Sequence, residues 1–151
     1  MSPKLPLATL IELAQNKTDE ATRRLGQLQS AHTSATEKLD LLQQYRQEYL
    51  DQLHMHLQGG VSAAHLRNYQ QFIGTLDTAI EQQRALTTQA DTRLEHGRTD
   101  WQHTKRRQSS FDTLAERVHH QEITTLNRRE QRDTDEHTAR QFYLRTSTSG
   151  D

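Results

Sequence analysis

From Leu7 onward, apolar residues return in alternating steps of four and three. The first series runs Leu7, Ile11, Ala14, Thr18, Ala21, Leu25, Leu28, His32, Ala35, Leu39, Leu42, Arg46, Tyr49 and Leu53, with only Thr18, His32 and Arg46 interrupting it. A mean step of about 3.5 residues is the spacing of a left-handed coiled-coil seam. The positions between are mostly charged residues, Gln and Thr, as a solvated face requires. The spacing predicts a first helix over about 6–57, with Pro3 and Pro6 placed before or in its first turn, where proline does least harm.

The pattern stops at Gln58-Gly59-Gly60-Val61, the one Gly-Gly of the chain, and Ser62 follows as a candidate N-cap. It then resumes through Leu66, Tyr69, Ile73, Leu76, Ile80, Gln83, Thr87, Ala90, Leu94, Gly97, Trp101, Thr104, Gln108, Phe111, Ala115 and Val118. A turn over 58–61 and a second helix over about 62–140 follow, with 146–151 as a disordered Ser/Thr/Gly-rich tail. Folding back between Gly59 and Gly60 pairs Leu53 with Leu66, Leu42 with Leu76 or Ile80, and Leu25 with Leu94. It also sets Gly97 opposite Ala21, Trp101 opposite Thr18 and Ala14, and His32 opposite Thr87. The first helix is then exhausted near Phe111, so the second overhangs. The expected fold is all-α: a single long antiparallel two-helix coiled-coil hairpin over 1–145, its second helix longer.

Composition narrows this further. Apolar residues are 31% of the 151, against roughly 45–50% in globular domains, so only a narrow stripe can be buried. Two prolines, six glycines and a net charge of −1 do not fit a disordered chain. Nine Lys/Arg lie between Lys105 and Arg145, but seven acids are interleaved between Asp112 and Glu136. Nonspecific nucleic-acid binding needs clustered cations, so a nucleic-acid-binding coiled coil is an alternative reading and not the leading one. There is no cysteine, and no window approaches the ~18 apolar residues of a membrane span. No signal-peptide pattern precedes Asn16, and the expected localisation is cytoplasmic.

Candidate chemistry is sparse. Nine histidines raise metal binding, and Glu116 with His119 and His120 has helical ligand spacing. Solvated histidines on a polar helix account for the same residues. No phosphate-binding glycine loop or nucleophile motif is present, so neither enzyme activity nor a cofactor is expected. More informative is an apolar surplus beside the seam. Phe72 and Ala79 exceed what the second helix needs and Tyr45 what the first needs; the fold-back sets Tyr45 beside Phe72, and together they border Leu42, Tyr49 and Leu76. Clustered exposed aromatics are usual anchors of protein interfaces.

These residues resemble the FliJ family of flagellar export proteins. The resemblance rests on Leu41-Leu42-Gln43-Gln44-Tyr45-Arg46-Gln47-Glu48-Tyr49 and Asn68-Tyr69-Gln70-Gln71-Phe72-Ile73, then on Leu76, Ala79-Ile80-Glu81-Gln82 and Trp101. It implies a noncatalytic export factor resembling the stalk subunit of rotary ATPases. The implied partners are the hexameric export ATPase FliI, whose ring assembly it favours, the export-gate protein FlhA, and the chaperones of late export substrates. It further implies a peripheral place at the inner-membrane export apparatus. The family's gate-facing surface corresponds to Leu42, Tyr45, Tyr49, Phe72, Leu76 and Ala79, while Lys38 and Gln83 depart from the Gln and His that flank it. For the ATPase-facing end, Leu10, Leu13, Arg128, Arg129 and Arg132 are the candidates. The equivalent stalk of a virulence-type secretion system is the nearest alternative, and the Asn-Tyr-Gln-Gln-Phe run weighs against it.

Overall fold

A computed structural model describes residues 6–150. The expectation for Pro3 lies outside them, as does Asp151 at the end of the expected tail. Two helices account for the described chain, α1 over Leu7–Gly59 and α2 over Ala63–Thr148, with no strand among the described residues. The Pro6 carbonyl accepts from the Thr9 and Leu10 amides at 3.0 and 3.2 Å, which starts α1 on a residue that has no donor of its own. Contacts gather the chain into two units, Asn16–Lys105 and the flanking stretches Met1–Gln15 with Arg106–Asp151.

Within Asn16–Lys105, α1 and the first part of α2 form an antiparallel hairpin. Its turn is displaced from the expected 58–61. Gly59 stays helical and Gly60 takes φ 86°, the left-handed conformation that ends a helix and that glycine adopts without a Cβ penalty. Ser62 caps α2 as expected, its Oγ accepting from the His65 amide at 3.2 Å and its carbonyl from the Leu66 amide at 3.1 Å. The loop is therefore Gly60–Ser62, centred on Val61 and not on the Gly-Gly bond.

That displacement resets the pairing by less than one helical turn. Gly97 does not face Ala21 as expected. A Cβ built on it would meet Leu28 Cδ1 at 2.5 Å, so the Leu28 side chain occupies the space a Cβ would need, with Leu25 Cδ1 in ordinary contact beside it at 3.7 Å. Trp101 donates from Nε1 to Thr22 Oγ1 at 2.9 Å, one turn beyond the expected Thr18. His32 lies 3.6 Å from Asp91 and not opposite Thr87. Gln83 Nε2 instead donates to the Ala35 carbonyl at 3.1 Å, and Thr87 Oγ1 lies 3.3 Å from that carbonyl while its shorter bond, 2.8 Å, runs to the Gln83 carbonyl of its own helix. A helical carbonyl has a second lone pair, so Ala35 can serve α2 while keeping its own helix bond.

The seam assignment itself stands throughout this unit. Every predicted seam residue from Thr18 to Leu53 and from Leu66 to Thr104 is buried or partly buried. Deep burial is confined to a few positions, Leu94 at 3% exposure among them, while most seam residues stay partly exposed. Two helices cover each other on one stripe only, so little can be sealed from both sides.

In the second unit, Leu7–Gln15 of α1 lies with the continuation of α2. Ala14 is buried, and Gln108, Phe111 and Ala115 are partly covered. Gln108 Oε1 is enclosed without a hydrogen-bond partner, a sign that the seam is poorly satisfied there. Ala115 is the last covered residue, since every position from Glu116 to Gly150 is exposed, Val118 included. The overhang thus begins one turn later than the expected Phe111. α2 also runs past the expected end near 140. No Pro or Gly occurs between Gly97 and Gly150, and Thr146 and Thr148 hydroxyls bond back to the Phe142 and Leu144 carbonyls at 3.1 and 2.9 Å.

The glycines test this geometry. Gly26 and Gly74 are helical with open space at the Cβ position, so alanine at either should raise stability by about 1 kcal/mol in urea unfolding. Gly97→Ala should gain distinctly less, because Leu28 must move. Gly60→Ala should lose about 1 kcal/mol through its positive φ.

Candidate interaction surface

The surface is assembled from three levels of the hairpin. On α1, Leu42, Tyr45 and Tyr49 are spaced by three and four residues and share a helix face. On α2, Phe72, Leu76 and Ala79 are spaced by four and three. Because the turn is centred on Val61, Tyr49 meets Phe72, and the antiparallel order then sets Tyr45 level with Leu76 and Leu42 level with Ala79. The ring contacts bear this out at the first level. Tyr49 and Phe72 lie with centroids 4.3 Å apart and planes inclined at 33°, and Tyr49 also meets Tyr69 edge-on at 6.2 Å. Tyr69 in turn lies 5.7 Å from His56 and 6.0 Å from His65, so aromatic contact continues toward the turn.

The six residues are not equivalent. Leu76 is 7% exposed and belongs to the seam, where it supports the surface from beneath. Leu42, Tyr49 and Ala79 are half-buried. Tyr45 and Phe72, at 44% and 42% exposure, are the large apolar groups presented to solvent. The expectation that Tyr45 sits beside Phe72 is corrected by the turn: Phe72 packs on Tyr49, and Tyr45 lies one helical turn further on.

Two leucines extend this face and were not singled out from the sequence. Leu41 and Leu86 are both about half exposed. Leu86 could have been found, since Phe72, Ala79 and Leu86 recur every seven residues and so stay on one flank of α2. Leu41 is one turn from Tyr45. Lys38 and Gln83 border the face, but Gln83 is turned inward to the Ala35 carbonyl. The opposite flank is polar. Arg46 Nε donates to Asp77 Oδ1, and Gln43, Gln47, Glu81 and Arg84 line an open groove beside them.

The residues expected at the ATPase-facing end are not brought together. Leu10 is half-buried, Leu13 is exposed, and both lie within the stretch where α1 still accompanies α2. Arg128, Arg129 and Arg132 are exposed on the bare part of α2. At 1.5 Å per residue, Arg128 stands about 20 Å along the axis beyond Ala115, the last covered position of α2. A further apolar group went unnoticed in the sequence: Phe142, Tyr143 and Leu144 are all strongly exposed near the end of α2. Among the described residues, no group of three or more His, Asp or Glu side chains is placed to hold a metal, and no helix is long and apolar enough to cross a membrane.

A protein-family model described as flagellar FliJ protein matches residues 3–147. The chain belongs to the FliJ family. The flagellar FliJ protein of Salmonella typhi is 35% identical over 130 residues, which is 86% of this chain and 88% of that protein. That of Escherichia coli (strain K12) is 34% identical over the same length and the same shares. Membership in the FliJ family makes this a noncatalytic protein of flagellum biogenesis and export, built as an α-helical hairpin.

The Tyr49–Phe72 contact is directly measurable. A double-mutant cycle of Tyr49→Ala and Phe72→Ala should give a coupling of about 0.5–1.5 kcal/mol in unfolding, as aromatic pairs do. A coupling near zero would mean the rings do not stack in solution.

Proposed function

We propose that this chain is a stalk-like export factor that docks on the membrane export gate through the face made by Leu42, Tyr45, Tyr49, Phe72, Leu76 and Ala79. One observation supports this above the others. Tyr45 and Phe72 remain substantially exposed although neighbouring seam residues are covered, and Phe72 is held in place by Tyr49. A rigid aromatic loses little side-chain freedom on binding, which favours it as an anchor. The seam residue Leu76 acts by holding the face level and contributes little contact of its own.

The same reading assigns the export ATPase ring to the end that carries Leu10, Leu13, Arg128, Arg129 and Arg132, and has the protein promote ring assembly and activity there. Late-substrate chaperones meet the protein while it is held peripherally at the inner membrane. The bare part of α2 supports the ring assignment, because its surface is free for an external partner.

The two surfaces are separable by mutation. Tyr45→Ala with Phe72→Ala should keep wild-type helicity, lose binding to the gate protein and abolish swimming. Normal motility with normal gate binding would refute the assignment. Arg128→Ala, Arg129→Ala and Arg132→Ala together should leave gate binding intact and lower stimulation of the ATPase. Unchanged stimulation would remove the arginines from that role.

A further inference from the structure

A second exposed apolar group lies in the last turns of α2. Phe142, Tyr143 and Leu144 are 70%, 77% and 65% exposed. At about 100° per residue, Phe142, Thr146, Ala139 and Tyr143 fall within about 100° of the helix circumference. Arg140 and Arg145 stand about 60° beyond the two edges of that face, and Leu144 lies just past Arg140. The opposite side is polar, with His137 and Gln141 side chains 3.3 Å apart. No acid occurs between Glu136 and Asp151.

The hydroxyls around this face find acceptors within their own helix. Thr146 Oγ1 lies 3.1 and 3.0 Å from the Phe142 and Tyr143 carbonyls. Ser147 Oγ and Thr148 Oγ1 lie 3.0 and 2.9 Å from that of Leu144, and Ser149 Oγ 3.2 Å from that of Arg145. A hydroxyl bonded in this way loses less on leaving water. Asp133, Asp135 and Glu136 come immediately before, so the face is confined to about two turns. A helix held in a protein groove offers anchors at i, i+3 or i+4, and i+7. Here the position seven beyond Ala139 is Thr146, and the aromatic residues occupy a single turn. Aromatic rings flanked by arginines are instead the pattern of a helix at a water–bilayer boundary, where the arginine stems lie along apolar surface and their heads stay wet.

We infer that residues 139–146 rest on the surface of an anionic bilayer, with Phe142 and Tyr143 set among the headgroups and Arg140 and Arg145 reaching lipid phosphates on either side. Charge complementarity selects this occupant, because the segment carries two arginines and no acid. The acids at 133–136 mark where contact ends, so the helix meets the surface by its last turns and not along its length. Such a contact is weak and reversible by itself, since stable anchoring takes more than one element of this kind. It rests on neither the gate nor the ATPase assignment, and it gives the peripheral membrane place a direct lipid contact.

Flotation of the full-length protein with lipid vesicles tests it. Vesicles of phosphatidylethanolamine with phosphatidylglycerol should carry the protein at low salt, and vesicles of phosphatidylcholine should not. Added salt should weaken the binding, as it screens contact with an anionic surface. Phe142→Ser with Tyr143→Ser should lower the affinity at least about tenfold. Arg140→Gln with Arg145→Gln should lower it about 30-fold, roughly fivefold for each charge. All four side chains are exposed, so both variants should keep wild-type helicity by circular dichroism. Neither gate protein nor ATPase is present, so the result is independent of those assignments. The inference is overturned if the wild type does not float with anionic vesicles, if it floats equally with phosphatidylcholine, or if either folded variant binds like the wild type. A wild type that does not float, with a Phe142→Ser, Tyr143→Ser variant that fails to stimulate the ATPase, would give the face to a protein groove and equally overturn it.

Discussion

The structure depends on one narrow seam that neither helix can bury alone. With apolar residues at 31%, the chain has one seam stripe per helix and, beside it, little more than the flank that carries Tyr45, Phe72 and Leu86. The only covering available to α1 is α2, and the length of the turn decides which residues meet. Gly60 ends α1 by taking positive φ, and Ser62 begins α2 by capping it. Three residues therefore determine the level of every cross-helix contact in the hairpin. The Tyr49–Phe72 stack, the Trp101–Thr22 bond and the leucines around Gly97 all follow from the same centre at Val61.

A seam this thin must also satisfy its polar interruptions. Gln83 and Thr87 on α2 both reach the carbonyl of Ala35, and His32 stands near Asp91. These contacts tie the helices together where apolar contact lapses, and they favour one register because a shift of one turn would separate donor from acceptor. Trp101 acts likewise, with its indole N–H directed to Thr22. Gln108 is the exception, its side-chain oxygen enclosed and unbonded close to where the seam ends.

Periodicity made the seam legible almost residue by residue, because burial in a two-helix hairpin depends on little besides helical angle. Val118 alone among the named positions is exposed, and the cause is the length of α1, not the spacing of α2. Register was less legible. It rests on whether Gly59 belongs to the helix or the loop, a distinction set by backbone conformation at one residue, and Gly-Gly allows both. That small error carried Tyr45 to Phe72 and His32 to Thr87, and it obscured that Leu76 supports the face from below. Surplus apolarity still located the face, since a residue the seam cannot use remains outside in either register. Leu86 was missed although it continues the seven-residue series from Phe72 and Ala79. Phe142, Tyr143 and Leu144 were missed because they lie beyond the end assigned to α2.

The boundary at Ala115 shows that two kinds of helix share one continuous backbone. Before it, apolar side chains at seam positions link α2 to α1, and helicity is a consequence of that packing. After it, the backbone repeats the same geometry, but seam positions hold Glu122, Arg129, Arg132 and Glu136. A charged side chain on a bare helix stays in water and costs almost nothing, so these positions suit a helix that has no second strand beside it. What holds this part is its own backbone ladder together with local bonds such as those of the Thr124 and Thr125 hydroxyls to the His120 and Gln121 carbonyls. The hairpin is held by what its seam positions attract, and the rest of α2 by bonds that lie within one helix.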